Sequence, residues 1–494
     1  MLRIWDFDLN INRDSDIALH VQIVQSLIGE IRRGRLSNST PIPGSRELAE
    51  RLQVNRKTVV LAYEELVAQG WLETQGRRGT FVAAKLPVIH TAKSSTDDAN
   101  NEFIAVKNSK PTLLSNTGSW DTLMQNGVID LNDGIPDARI IPYTVLSRAY
   151  RHALLKTSRN NLLGYGDPRG VSALRKSLAS MLNLKRGLAA NENNICMVRG
   201  SQMGLYVAAR VLVSPGDCVV FETLSYAPAQ TAFQACGAKI LTVEQDRGGL
   251  IVEHLESLCS KNPVKVVYVT PHHQYPTTVM MTAERRLRLL MLAEQFNFTI
   301  VEDDYDHEFH FDHSPTHPIA SIDQHKRIVY IGSMSKILAP GLRVGYLVAS
   351  QQLVDQCANI ILQIDRQGNP VTEFAVNELM ESGELHRHIR RALRTYAQRR
   401  NAAIESIRTF LGDYVEFDIP AGGLAFWLRL HKETDSKTLA TMALQNGLRI
   451  VSSEQYSIIT AKVAGIRVGY ASLSDDVFKM GIKRLNEVLA QITM

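Results

Sequence analysis

The sequence predicts two modules, a winged helix-turn-helix at the amino terminus and a larger α/β domain behind it. Residues 13–83 contain three short helical patterns followed by a basic hairpin, whereas residues 129–494 alternate strand-like with helix-like segments. The segment between them is polar and poor in apolar residues. At 494 residues the chain is also too long for one ordinary domain.

The amino-acid composition and the net charge indicate what class of protein this is. An apolar content of 45% and a charged content of 21% are typical of soluble globular proteins, and the net charge of +5 requires any nucleic-acid surface to be local. No apolar run has membrane-spanning length and no signal peptide is recognisable, so we expect a cytoplasmic protein without membrane association. Scattered cysteines without paired spacing predict reduced, structural thiols rather than disulfides or a zinc site: Cys196, Cys218, Cys236, Cys259 and Cys357.

Helical periodicity organises the amino-terminal module. Apolar residues recur at helical spacing over 19–31, and Gly34 closes this first helix. Ser45 is the expected N-cap of a second, short helix, and Asn55 is the expected N-cap of a third over 56–69. The third helix has an apolar face that includes Val67 and a basic first turn. Two short helices joined by a tight turn predict that this third helix enters the major groove of DNA.

A basic hairpin follows the third helix and resembles a wing. Two short strands flank residues 75–79, which carry adjacent arginines. Arginine and lysine at these positions suit phosphates, base edges or a narrow minor groove, although solvated surface charge is the alternative for each residue. The candidate DNA-contacting residues are Ser45, Arg46, Arg56, Lys57, Thr58, Arg77 and Arg78.

Residues 84–128 are predicted to form a flexible linker. This stretch is rich in lysine, serine, threonine, aspartate and asparagine, so it lacks the apolar residues that a core of its own requires. A tether of this kind sets the effective concentration of one module near the other.

The carboxyl-terminal module is predicted to contain a mostly parallel sheet. Alternating strands and helices require such a sheet in an α/β domain. Ligands of these domains bind beyond the carboxyl ends of the strands. The candidate strands are 195–198, 218–221, 239–243, 265–270, 298–302, 328–331 and 344–348.

Lys336 is the candidate nucleophile of this module. It follows the strand 328–331 across a break at Gly332 and Ser333, so we expect it on a turn at the strand's carboxyl end. The hydroxyls of Ser333 and Ser335 and the guanidinium of Arg343 lie close to it in sequence and suit a phosphate. A lysine beside a phosphate cradle indicates a Schiff base with pyridoxal phosphate, although an ordinary surface lysine is the alternative.

Polar residues after other strands complete a candidate cofactor site. Ser201 and Gln202 open a helix after a glycine, where free N–H groups bind anions, but Ser201 also suits a simple helix cap. Tyr226 suits stacking on a flat ring, or a place in the core. Asp303 suits the protonated ring nitrogen of pyridoxal phosphate, and Tyr305 the ring oxygen.

The acidic residues that follow the strand 298–302 also raise the possibility of a metal site. Asp304 is interpreted as structural, and His307, His310 and His313 follow it. Their spacing fits no familiar metal motif, so the sequence predicts no metal.

Both modules resemble known families. Residues 43–82, PGSRELAERLQVNRKTVVLAYEELVAQGWLETQGRRGTFV, together with Leu19, Gln22, Ile31, Gly34 and Leu36, closely resemble the winged helix-turn-helix of GntR-type regulators. The segments GIPD at 134–137, GYGDPRG at 164–170 and TPHHQYP at 270–276, with the lysine stretch, resemble fold-type I aminotransferases. Their order in one chain resembles the MocR (GabR-like) regulators.

The resemblance implies roles for individual residues. Lys336 is the expected Schiff-base lysine, Asp303 the partner of the pyridine nitrogen and Tyr305 that of the ring oxygen. Tyr226 is expected to stack on the ring, and Tyr165 to reach the phosphate of the partner subunit's cofactor. The expected phosphate ligands are Ser201, Gln202, Ser333 and Arg343.

The resemblance also extends to the effector side of the pocket. Arg467, in GIRVGY at 465–470, matches the arginine that binds a substrate carboxylate in such enzymes. His273 and Gln274 belong to the turn at the ring edge, and either side chain could face the cofactor. The chain departs from the usual pattern at Leu224, often a proline, and at Thr278, often a glycine.

Three functions are compatible with these features. The chain is expected to be a transcription regulator that senses pyridoxal phosphate or an amino compound, with double-stranded operator DNA as partner and a homodimer as its assembly. A working aminotransferase with a DNA-binding appendage is the alternative. The third, a DNA-binding protein whose second module serves only dimerisation, is disfavoured by the intact Lys336, Asp303 and Arg343.

Overall fold

The computed structural model describes residues 9, 11–15, 17–86, 127–131, 134–311, 316–334, 336–431, 435–451, 453–456 and 465–493. The chain divides into two compact units, Met1–Asn116 and Thr117–Met494. Most of the predicted linker, residues 87–126, lies outside the described residues, as do Ser335 and His313.

The amino-terminal unit is a winged helix-turn-helix, as the sequence predicts. Its strands pair antiparallel, with Leu72 opposite Val82. The elements are α1 (Leu19–Arg32), α2 (Ser45–Leu52), α3 (Arg56–Ala68), β1 (Leu72–Thr74) and β2 (Thr80–Val82).

The start of α3 is capped as the sequence predicts, whereas the start of α2 is not. The Asn55 side chain accepts a hydrogen bond from the Lys57 backbone N–H at 2.9 Å, as predicted for the start of α3. Ser45, by contrast, is the first residue of α2 rather than its N-cap, because Gly44 takes that position with extended backbone. Val67 is 38% exposed and so lies outside the buried face of α3.

The carboxyl-terminal unit is an α/β domain. Its helices are α4 (Tyr143–Arg159), α5 (Ser172–Arg186), α6 (Ser201–Leu212), α7 (Ala227–Ala235), α8 (Val252–Cys259), α9 (Ala283–Phe296), α10 (Gln351–Ile364), α11 (Pro370–Glu381), α12 (Glu384–Leu411), α13 (Ser436–Gln445) and α14 (Asp475–Thr493). Its strands are β3 (Ile129–Asp130), β4 (Ile195–Val198), β5 (Cys218–Glu222), β6 (Lys239–Val243), β7 (Gln245–Asp246), β8 (Gly249–Leu250), β9 (Val264–Val269), β10 (Thr299–Asp304), β11 (Ile328–Ser333), β12 (Gly345–Val348), β13 (Val415–Glu416), β14 (Ala425–Leu430), β15 (Leu448–Arg449) and β16 (Gly465–Gly469).

The seven predicted strands form one sheet in the order β4-β12-β11-β10-β9-β5-β6. The pairs among β11, β10, β9, β5 and β6 are parallel. Strand β12 runs antiparallel to both of its neighbours. The prediction of a mostly parallel sheet is therefore confirmed, although β10 continues to Asp304 and β11 to Ser333, beyond the predicted ends.

Apolar layers on both faces hold this sheet in place. Side chains alternate between the two faces of a strand, so β10 buries Ile300 on one side and Val301 on the other. A second core lies under the smaller sheet β13-β14-β16 and the long helix α12. This smaller sheet carries Arg467, so two separate cores position the candidate site.

Two further expectations concern the chain as a whole. All five cysteines are buried and free, as expected for structural thiols. Among the helices of the described residues, none combines the length and apolar character that crossing a bilayer requires.

Candidate functional site

A cleft gathers most of the candidate residues at the carboxyl ends of the central strands. Its side chains come from segments that are far apart in the chain but adjacent in the sheet. The lining residues are Ser201, Tyr226, Tyr268, Thr270, Tyr275, Asp303, Tyr305, Lys336 and Arg467.

Lys336 lies on the turn that follows β11, where the sequence predicts it. Its side chain is half-buried, and its Nζ donates a hydrogen bond to the backbone carbonyl of Gly134 at 3.1 Å. The Gly134 carbonyl thus holds the amine at the cleft wall. The amine can give up this hydrogen bond when it attaches to a cofactor.

Asp303 supplies a buried carboxylate near the end of β10. Its Oδ2 accepts a hydrogen bond from the Tyr268 hydroxyl at 2.9 Å, whereas Oδ1 has no hydrogen-bond partner among the described residues. Burial raises the pKa of Asp303 to about 7, although the Tyr268 hydrogen bond acts in the opposite direction. An unpartnered carboxylate oxygen on a residue that lines the cleft fits a cationic ring nitrogen, because that partner offsets the cost of burial.

Three tyrosines form an aromatic side of the cleft. The ring centroids of Tyr226 and Tyr275 are 5.1 Å apart, and those of Tyr275 and Tyr305 are 6.3 Å apart. The Tyr305 hydroxyl donates to the His273 backbone carbonyl at 2.9 Å. This wall can accept a flat heteroaromatic ring and present a hydroxyl to its edge.

Arg467 brings a buried cation to the same cleft from β16. It is 2% exposed, donates to the Pro276 carbonyl at 2.9 Å and lies 4.8 Å from the Tyr275 ring centroid. A planar guanidinium in this setting suits bidentate binding of a carboxylate.

The predicted phosphate ligands are only partly brought together. Ser201, the first residue of α6, lines the cleft. Gly200 precedes it with φ +78°, and a Cβ there would approach the Arg343 guanidinium to 2.9 Å, so glycine is required at this crossing. Arg343 donates to the Arg199 carbonyl at 2.9 Å and lines a neighbouring groove instead of the cleft.

Two other predicted phosphate ligands do not line the cleft among the described residues. Gln202 turns its amide to the Pro228 carbonyl at 3.0 Å. Ser333 is the last residue of β11 and is buried rather than exposed on the turn. The sequence placed both residues by proximity to Ser201 and Lys336, which does not fix the direction of a side chain.

Tyr165 and two side chains of the ring-edge turn, His273 and Gln274, do not line this cleft. Tyr165 is 83% exposed, and Arg366 lies 4.8 Å from its ring centroid. His273 contacts Asp306 through Nδ1 at 2.8 Å, and Gln274 donates to the Leu224 carbonyl at 2.7 Å.

Sequence reasoning missed three lining residues, Tyr268, Thr270 and Tyr275. Tyr268 pairs in register with Val301, two residues before Asp303. Residues two apart on a strand share a face, so the register of β9 against β10 is the signal that places Tyr268 beside Asp303. The pairing of β9 with β10 cannot be read from the amino-acid sequence alone.

The amino-terminal unit presents its candidate DNA-contacting residues along one short stretch. Arg46, Arg56, Lys57 and Arg78 are exposed, and Thr58 is partly buried. The Arg56 Nε lies 3.4 Å from the Ser45 Oγ. The Arg77 side chain lies outside the described residues. Exposed cations at the start of α3 suit contacts with phosphates and base edges.

Known proteins match both units. Residues 126–485 match the aminotransferase class I and II family, and residues 19–82 match bacterial regulatory proteins of the gntR family. The probable rhizopine catabolism regulatory protein MocR of Rhizobium meliloti is 29% identical over 478 residues, which cover 97% of this chain and 95% of that protein. This chain belongs to the aminotransferase class I and II family, in the MocR-type group of transcription regulators. Several uncharacterised HTH-type regulators of Bacillus subtilis align over nearly the whole chain as well.

Aminotransferases align over about three quarters of the chain. The aromatic-amino-acid aminotransferase 1 of Thermococcus litoralis is 30% identical over 74% of this chain and 88% of its own. The solved multiple substrate aminotransferase of Thermococcus profundus is 28% identical, with a TM-score of 0.71, over 76% of this chain and 94% of its own. Because regulators match both units, the regulator assignment is the stronger one. The cofactor of this family is pyridoxal phosphate, and the amine of Lys336 with the unpartnered Oδ1 of Asp303 fits it.

Proposed function

We propose that this regulator holds pyridoxal phosphate at Lys336 and responds to an amino compound that carries a carboxylate. The observation that supports the proposal is one cleft containing Lys336, Asp303 and Arg467. The same chain carries a GntR-type winged helix-turn-helix at residues 19–82, called the head below. An amine-reactive position and a carboxylate-binding cation in the same cleft are what recognition of an amino acid requires.

Each proposed residue has a distinct task toward the cofactor. Pyridoxal phosphate, when bound, supplies an aldehyde that reacts with amines and a ring that withdraws electrons. Lys336 would attach it, Asp303 would hold the proton on the ring nitrogen, and Tyr305 would donate to the ring oxygen. Tyr226 would stack on the ring. The proposed phosphate ligands are Ser201, Gln202, Ser333 and Arg343, and of these Ser201 lines the cleft.

Lys336 and Arg467 together make the site responsive. With the cofactor bound, an amino compound would be an alternative partner for the aldehyde that Lys336 would hold. The Gly134 carbonyl, which accepts a hydrogen bond from Lys336 Nζ at 3.1 Å, would hold the lysine amine when it is not attached. Arg467 holds the effector carboxylate with two parallel hydrogen bonds. The effector controls DNA binding only as far as it prefers one arrangement of the protein over another.

We further propose a homodimer in which two heads bind repeated half-sites of operator DNA. The segment around Tyr165 supports it, since Tyr165, Leu162 and Leu163 are 83%, 40% and 57% exposed. Exposed apolar side chains side by side suit an interface between copies. Tyr165 would then reach the cofactor phosphate of the partner subunit. In the head, the proposed DNA-contacting residues are Ser45, Arg46, Arg56, Lys57, Thr58, Arg77 and Arg78.

Absorption spectroscopy tests the proposed attachment. Wild-type protein with pyridoxal phosphate should show an absorption band at about 420 nm, typical of this cofactor bound to a lysine. Lys336→Ala should lack the band, and Lys326→Ala, a change of another lysine, should retain it. An unchanged band in Lys336→Ala would contradict the attachment.

Titration of the wild-type band with amino acids and with amines lacking a carboxylate then tests the effector class. Arg467→Met should lose the preference for carboxylates while keeping the band. Carboxylate-bearing and carboxylate-free amines acting equally on the wild type would contradict the role of Arg467. A transaminase assay in the same samples distinguishes the enzyme alternative, because only an enzyme releases a keto acid in many turnovers per chain.

A further inference from the structure

Three histidines that the cofactor site does not use lie together in the carboxyl-terminal unit. Each of His272, His307 and His310 offers one ring nitrogen, and these three atoms lie within 4.8 Å of one another. We propose that this histidine cluster is a site for a transition-metal ion, with Zn²⁺ the ion that best fits its chemistry. Imidazole nitrogens are common ligands of zinc.

Four ring nitrogens of the cluster have no hydrogen-bond partner among the described residues. They are both ring nitrogens of His272, Nε2 of His307 and Nε2 of His310. His272 is 2% exposed and His307 is 3% exposed, so water does not replace the missing partners freely. A buried polar atom without a partner is costly, and a metal ion would offset that cost.

The carboxylate of Asp304 lies within ion-pair distance of one of the three rings. Oδ2 of Asp304 lies 2.9 Å from Nδ1 of His307 and also accepts from the Tyr330 hydroxyl at 2.5 Å. With Nδ1 facing the carboxylate, Nε2 of His307 is the nitrogen left for a metal. Carboxylate-histidine-metal arrangements of this kind fix the ring and increase its basicity.

The histidine cluster is separate from the cofactor cleft. Asp303 and Asp304 are neighbours on β10, so their side chains point to opposite faces of the sheet. Asp303 lines the cleft, whereas Asp304 contacts His307. His272 follows β9, and His307 and His310 follow β10, its parallel neighbour. This pairing explains why motif spacing missed the cluster, since one ligand comes from a different strand.

The spacing of the three nitrogens is wider than that of a tetrahedral zinc site. Zn–N distances of about 2.0–2.1 Å place the nitrogens of such a site roughly 3.3 Å apart. The cluster nitrogens lie within 4.8 Å, so rotations of the side chains must close the remaining gap. Three histidines leave a fourth position for water.

Metal analysis of untagged, full-length protein tests the proposal directly. Protein stripped with EDTA and dialysed is incubated with Zn²⁺ or Co²⁺, passed through a desalting column and analysed by mass spectrometry for metal. We expect one ion per chain, visible Co²⁺ bands of a tetrahedral nitrogen site, and a higher Tm with Zn²⁺. Stripped wild-type protein that retains no stoichiometric Zn²⁺ or Co²⁺ would overturn the proposal.

Variants localise the ion. His310→Gln and, independently, His272→Gln should lose stoichiometric binding, and Asp304→Asn should weaken Zn²⁺ affinity about 10- to 100-fold by losing the orienting carboxylate. The matched control is His254→Gln, since His254 is exposed and lies 3.2 Å from Glu244 outside the cluster. Each variant must keep the wild-type circular dichroism spectrum and cofactor band. A folded cluster variant that binds as the wild type does, or a control that loses equally, would contradict the assignment.

Discussion

The two units differ in how their candidate binding residues are placed, near the surface in one and buried in a cleft in the other. The head has its candidate DNA contacts within residues 45–78, on two short helices and a wing, and Arg46, Arg56, Lys57 and Arg78 among them are exposed. The cofactor cleft gathers residues from Ser201 to Arg467, and Asp303 and Arg467 among them are almost fully buried. The head therefore depends on surface charge, which salt screens, whereas the cleft depends on charges shielded from water.

This difference predicts that each unit can be disabled without disabling the other. Exposed residues of the head stabilise little of the fold, so their loss should affect DNA binding alone. Buried residues of the cleft hold charge at low dielectric, so their loss should change cofactor affinity and pH dependence together.

The largest effect is expected in the head. Replacing both Arg56 and Lys57 by Ala should weaken binding of operator DNA roughly 100- to 1,000-fold, because each such contact is typically worth about 1–3 kcal/mol. Fluorescence anisotropy with labelled DNA at several salt concentrations measures it, and cofactor affinity should not change. Arg32→Ala with Arg33→Ala, the same change of charge at the end of α1, is the control. Equal losses in the two double variants would assign the effect to net charge and not to α3.

A smaller loss is expected in the cleft. Asp303→Asn keeps the shape and an acceptor for the Tyr268 hydroxyl, but removes the negative charge offered to the ring nitrogen. Affinity for pyridoxal phosphate should fall about 100-fold, in line with roughly 1.5–3 kcal/mol for a charge-assisted hydrogen bond. Equilibrium dialysis measures it. DNA affinity of the cofactor-free variant should equal that of cofactor-free wild type, and a large drop there would show that the units are not separable in this way.

The pH dependence of stability sharpens the contrast. The pKa of Asp303 is raised from 3.8 to about 7 by burial, so between these values the folded, cofactor-free protein holds a proton that the unfolded chain has released. Stability then falls as pH rises through this window. Removing the group in Asp303→Asn should make that fall shallower, because this carboxyl no longer takes part in it. Urea unfolding at several pH values measures it, and identical slopes in both proteins would exclude a raised pKa.

The smallest effect concerns a departure from the family pattern. Thr278 stands where the family often has glycine, and its φ is +62°, a conformation that β-branched residues rarely adopt. Thr278→Gly should therefore stabilise the protein by about 1 kcal/mol, since the relieved strain exceeds the entropic cost of glycine. Thermal unfolding measures the change, with Thr277→Gly as the neighbouring control. A destabilised Thr278→Gly would show that the threonine side chain compensates for its backbone.

The contrast between the units also explains what sequence reasoning achieves. In the head, helix periods, the Asn55 cap and the basic turn are local signals, so they located the module without knowledge of tertiary structure. The error at Ser45 is one of a single residue, because glycine with extended backbone starts α2 equally well. The seven strands of the main sheet were likewise located from local apolar runs.

The site was predicted less completely because it depends on strand order and side-chain direction. Six of the candidate residues line the cleft, namely Lys336, Asp303, Tyr226, Tyr305, Ser201 and Arg467, whereas Gln202, Ser333 and Arg343 do not. Tyr268 was missed because its place beside Asp303 follows from the register of β9 against β10. His272 was missed for the same reason, as the pairing of these strands brings it to His307 and His310.

Coupling between the cleft and the head is the central claim, and one measurement tests it most directly. Affinity for operator DNA is measured by anisotropy for the wild type and for Lys336→Ala, each with pyridoxal phosphate and with the amino acid that shifts the wild-type absorption band. We predict that the amino acid changes wild-type DNA affinity by about 5-fold or more, a typical coupling between sites, and leaves Lys336→Ala unchanged. DNA affinity of the wild type that stays constant while the absorption band shifts would contradict the account.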